Sequence, residues 1–79
     1  MLTKKELLKN LIGMKVCNLS SGGFYYVQQI PIDAPIKFNY SIIKDVSEEL
    51  MEVDTYSEQG NFIVTQYLSL VFVNSIEKV

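Results

Sequence analysis

The chain has 79 residues, no His, a single cysteine and a net charge of −2. That length holds one core and no second domain, and with only Cys17 and no His neither an intramolecular disulfide nor a zinc site can be built. All seven basic residues are Lys, which excludes the bidentate reading of phosphate or guanine edges by Arg.

A domain this small buries only about 60% of the surface its unfolded chain exposes, and self-association is the remaining way to bury more. The aliphatic and Phe content is too high, and the net charge too small, for a disordered chain. No apolar run approaches the roughly 20 residues that span a bilayer. The start, Leu2-Thr3-Lys4-Lys5-Glu6, lacks the apolar stretch of a secretory signal. The expected compartment is the cytoplasm, which suits a lone reduced thiol. Charge is segregated, with Lys4, Lys5, Lys9 and Lys15 near the start and Glu48, Glu49, Glu52, Asp54, Glu58 and Glu77 in the second half. Such a split makes two solvated faces, or steers copies of the protein or a polyanion onto the basic end.

The opening predicts a capped helix. Thr3 and Glu6 form a capping box, Leu2 and Leu7 a hydrophobic staple across it, and Gly13 a left-handed stop. Leu7, Leu8, Leu11 and Ile12 recur at helical spacing as one apolar stripe, with Lys4, Lys5 and Lys9 away from it. So short a helix is stable only when docked on the rest of the chain.

Strand patterns follow. Met14 to Leu19 and Phe24 to Ile30 flank the turn Ser20-Ser21-Gly22-Gly23 and predict a hairpin. Pro31 and Pro35 bracket a connection. Ile36, Phe38, Tyr40 and Ile42 then alternate with Lys37, Asn39 and Ser41, which predicts the first set as core and the second as solvated. Ser47-Glu48-Glu49 turns the chain, or a long bent strand continues through it. Leu50 to Tyr56 is a strand, and Ser57 to Asn61 a turn in which Gly60 takes positive φ. Phe62 to Val73 is the most apolar segment; Leu68, Leu70, Val71 and Phe72 make its end apolar on both faces, as at a subunit boundary. Asn74-Ser75 breaks it before a closing strand, Ile76 to Val79. The expected fold is mostly β: residues 1–79 form one domain, in which an N-terminal α-helix (1–13) caps a strongly bent five-stranded antiparallel sheet or small open barrel (14–79).

This order of elements resembles the Sm-like (LSm) small β-barrel family. Leu11-Ile12-Gly13-Met14-Lys15-Val16 is similar to that family's helix-to-strand junction, and Val71 to Val79 to its short final strands. The resemblance implies a homo-oligomer, plausibly a ring, that binds single-stranded RNA or DNA in nucleic-acid processing. It implies a pore loop at Asp33, Phe38 and Asn39, where a base stacks on the ring and bonds to the amide, and a second site at Asn74. The spacing from Asp33 to Asn39 is longer than the family's, and the family's Arg-Gly pair is replaced by Asn74-Ser75.

No catalytic constellation is present, so no enzyme, cofactor or small-molecule substrate is expected. Glu48, Glu49, Glu52 and Asp54 read as solvated surface before paired catalytic carboxylates, and Cys17 as a small buried hydrophobe before a reactive thiol. Of Phe24, Tyr25 and Tyr26, at least one must face away from the core, where it could stack a base or serve a protein interface. Tyr25 with Lys5 and Lys9 completes the nucleic-acid footprint. The alternative is a structural or adaptor module that binds only protein, for example an accessory or inhibitory protein of a phage, an origin to which a composition heavy in Lys, Asn, Ile and Tyr also points.

Overall fold

The computed structural model describes residues 2–79. Helix α1, Lys4–Lys9, starts at the predicted cap: the Thr3 hydroxyl accepts from the Glu6 N–H and the Glu6 carboxylate accepts from Thr3. Tight turns carry it to Gly13, whose φ of 85° lets the chain reverse and donate its N–H to the Ile43 carbonyl. Leu8 and Leu11 are fully buried, and α1 packs against the third and sixth strands.

Six strands follow: β1 Lys15–Ser21, β2 Phe24–Gln29, β3 Tyr40–Val46, β4 Leu50–Tyr56, β5 Phe62–Ser69 and β6 Val73–Glu77, with one 3-10 turn at Leu70–Phe72. They form a single sheet in the order β5-β4-β3-β1-β2-β6. Every pairing is antiparallel except β2 with β6, which is parallel.

The mostly β architecture with one N-terminal helix stands, and the sheet is not closed. The strand count is corrected from five to six and the all-antiparallel pairing by the parallel β2–β6 pair, and the apolar run to Val73 breaks at Leu70 rather than at Asn74. Leu70 turns inward and donates its N–H to the Glu49 carbonyl, so the following residues start a new strand that runs through Asn74-Ser75. Ser47-Glu48-Glu49 is a turn, and no long bent strand passes through it.

Connectivity dictates the bend. Six strands side by side would separate the outer two by about 24 Å. The link from Ser69 to Val73 reaches about 14 Å at most. The two edges must therefore approach each other at that corner, which curls the sheet around a core of Leu8, Leu11, Val16, Val27, Ile43, Val46, Met51, Val53, Leu68, Leu70 and Val73.

The face predicted for the third strand is also corrected. Residues 30–39 form no strand, and in β3 it is Ser41 and Ile43 that face the main core; Tyr40 is buried as expected, but on the opposite face, where it stacks on Tyr56, and Ile42 beside it is half-buried. The Ser41 hydroxyl lies 3.2 Å from that of Thr55 on β4, and Ile43 pairs with Val53. A bulge at Lys44 inserts one residue, so Val46 rather than Asp45 points inward next.

Candidate functional site

Exposed apolar side chains gather, among other places, on two surfaces. The first is the corner made by the 3-10 turn. Its tight geometry buries Leu70 and throws the next two side chains outward: Val71 is 74% exposed and Phe72 is exposed beside Phe24 of β2, their rings 6.5 Å apart in an edge-to-face pair. A groove lined by Thr3, Lys4, Lys5, Glu48, Leu70 and Val71 runs from this corner along α1. Its polar rim is internally paired. Lys5 forms a salt bridge with Glu48, and Lys4 donates to the Leu70 carbonyl at 3.4 Å. The Lys5 ammonium, by hydrogen bond and by charge, holds the Glu48 carboxyl below its ordinary range, and Lys9 adds to this.

The second surface is β5. Phe62, Ile63, Val64 and Tyr67 are all exposed along an edge strand with no charged residue and no proline. On the outer face, next to it, Asp54 accepts from the Thr65 hydroxyl at 2.6 Å and pairs with Lys44 at 3.5 Å. At the strand's start Phe62 meets Tyr56, which stacks on Tyr40 under the Lys15 ammonium.

The expected nucleic-acid residues are spread over the molecule. Phe38 and Asn39 are exposed in the connection before β3. Asp33 is exposed in a turn of the same connection. Lys5 is tied to Glu48 beyond the other end of β3, about 23 Å away along the strand. Lys9 is exposed on α1. Asn74 lies on β6, separated from β3 by β1 and β2, and donates to the Tyr26 hydroxyl at 3.4 Å. Tyr25 packs against the core, so Phe24 and Tyr26 lie on the other face of β2, Phe24 exposed and Tyr26 half-buried under Asn74.

The expected interface residues divide in the same way. Leu68 and Leu70 belong to the chain's own core, while Val71 and Phe72 are free at the corner. Phe24 was one of three aromatics among which the sequence did not choose, and the β5 edge was not among the sequence candidates. The legible signal for the edge was an eight-residue strand pattern, Phe62 to Ser69, with nothing in it to discourage pairing.

Cys17 is half-buried on β1, and burial pushes its thiol above the ordinary value. Among the described residues no three of His, Cys, Asp and Glu converge on a point that could hold a metal, and no helix is long and apolar enough to cross a membrane. In comparisons with protein-family models, curated proteins and solved structures, nothing matches this chain.

Proposed function

We propose that this chain is a non-catalytic protein-binding module, an adaptor or structural piece of a larger assembly. One observation carries the reading. The corner of Phe24, Val71 and Phe72 is apolar at its centre and meets a groove rimmed by Lys4, Lys5 and Glu48, which is the anatomy of a protein interface. The lysines expected to attract a phosphate backbone are partly engaged already, Lys5 by a carboxylate and Lys4 by a carbonyl.

The test is a photo-crosslinking residue placed at Val71 in cells of the source organism, with the exposed Lys37 as a control position. A defined crosslinked protein at Val71, lost in the Phe24→Ser, Phe72→Ser double variant, supports the module. Equal labelling at both positions removes it.

A second reading is kept by Phe38, an exposed ring beside the exposed Asn39. It is the Sm-like one: a ring-forming oligomer that stacks a base of single-stranded RNA or DNA, with Asn74 as its second contact. The helix followed by a strongly bent small sheet supports that likeness, and the sixth strand and its parallel pairing depart from it. Fluorescence anisotropy with short U-rich and A-rich oligonucleotides decides between the two. Binding at low salt that weakens by about 1–3 kcal/mol in Phe38→Ala favours this reading, and its log–log salt slope of about −0.7 per phosphate counts the lysines engaged. No binding at low salt leaves the protein-binding module.

A further inference from the structure

The β5 edge has a defined hydrogen-bonding polarity. The Leu70 N–H bonds to the Glu49 carbonyl at 2.9 Å, in register with the β4–β5 ladder. Bonded and non-bonded pairs alternate in an antiparallel ladder. Leu68 opposite Met51, and Gln66 opposite Val53, are therefore bonded to β4, whereas Ser69, Tyr67 and Thr65 direct their N–H and C=O groups away from the sheet. Leu50 agrees with this parity, since its own N–H and C=O turn back to Ser47.

The opposite edge is differently equipped. β6 has five residues, ends at Glu77 and has α1 packed against it. Short length and charge are usual ways in which an edge is kept from pairing. β5 has eight residues, no charge and no proline. Of the two edges only β5 is open, and the edge that matches it in length and lack of charge is another β5.

We propose that two copies of this chain pair through β5, antiparallel about a two-fold axis, to form one continuous sheet. The outward groups of Thr65, Tyr67 and Ser69 supply the new ladder, and no like charges meet across it. Val64, Gln66 and Leu68 of the two copies then line one face in common, which extends each core past its present rim. The contact is isologous and closes on itself, so it stops at two.

Sedimentation equilibrium of the full chain tests this between micromolar and several hundred micromolar. The expected mass rises to twice that of the 9.0 kDa chain and no further. Tyr67→Pro is the informative variant. The N–H it removes makes no bond to β4, and proline is tolerated at such edge positions, so circular dichroism should be unchanged while dimerisation weakens at least tenfold. Should this variant not fold, Tyr67→Lys places like charges across the two-fold axis and should weaken the dimer likewise. Amide exchange gives a second reading, in which the Thr65, Tyr67 and Ser69 N–H groups exchange at least tenfold more slowly in concentrated than in dilute solution.

A monomeric mass throughout, a larger ring, or dimers indifferent to both Tyr67 substitutions would overturn the proposal. The Phe24→Ser, Phe72→Ser variant should dimerise normally, so this proposal and the protein-binding corner fail separately.

Discussion

Leu70 and Val71 are adjacent in sequence and opposite in environment: Leu70 is 6% exposed inside the core, and Val71 is 74% exposed on the corner beside it. The 3-10 turn produces the contrast by rotating successive side chains about 120° apart. Leu70→Ala should therefore cost about 2–5 kcal/mol, a large part of a small domain's stability, whereas Val71→Ala should change it by no more than about 0.5 kcal/mol. Urea unfolding of the two variants measures both. Similar losses would mean that the turn is not formed as described.

The Asn18 side chain places its Oδ1 in the interior without a hydrogen-bond partner. On β1 it alternates with Cys17 and pairs with the fully buried Val27. A buried acceptor left unmatched costs about 1–3 kcal/mol, and an apolar group of similar shape removes that cost. Asn18→Leu is expected to raise the unfolding free energy by roughly 1 kcal/mol after imperfect packing, and with it the urea midpoint. A lowered midpoint would show that the amide is satisfied in solution.

Glu48 and Lys5 join the turn between β3 and β4 to α1. Because the folded protein holds the Glu48 carboxyl below its ordinary value, its contribution to stability is present above the unfolded pKa and is lost as pH falls through the folded one. The stability of the wild type should exceed that of Glu48→Gln at neutral pH, and the two curves should converge in acid. Added salt should narrow the neutral-pH gap, since the pair is exposed. A gap that persists at low pH would assign it to packing rather than charge.

Burial raises the Cys17 thiol above its ordinary value, so little thiolate exists at neutral pH. Cys17 should react with a thiol reagent several-fold more slowly in the folded chain than in urea. Equal rates would place the sulfur in open solvent.

The helix start was legible because its signals are local, Thr3 and Glu6 acting on backbone groups within one turn; its end was not, since the helix stops at Lys9 with Asn10 as its cap and Gly13 takes positive φ only after further tight turns. The β1–β2 turn at Gly22-Gly23 and the turn ending in Gly60 were legible for the same reason, since positive φ at each glycine is a demand of the turn itself. The β3 face was not. The alternation from Ile36 to Ile42 has the right period, but strand pairing begins only at Tyr40, and the Lys44 bulge shifts which residues point inward.

The turn at Leu70–Phe72 was hidden differently. Leu, Val and Phe all suit a strand, and what bends them is a tertiary bond to Glu49 and the burial of Leu70, neither of which is encoded locally. Once that turn was missed, the closing strand was placed late, at Ile76 to Val79 instead of Val73–Glu77, and its parallel pairing with β2 was not foreseen. The functional surfaces suffered accordingly, because which of Leu68 to Phe72 are free depends on that one turn.

The link between β5 and β6 also fixes an order of folding. β1 with β2, β3 with β4 and β4 with β5 join neighbours in the chain and can form as hairpins, whereas β6 must find β2 across more than half of the sequence. Contacts of that separation form late, because a long loop must close before they contribute. Until β6 docks, β2 is a bare edge that carries Phe24, Tyr25 and Tyr26, and β5 is bare on the other side. For that interval the nascent domain has two bare margins instead of one, so the docking of this five-residue strand is the step that withdraws one of them from contact with other chains.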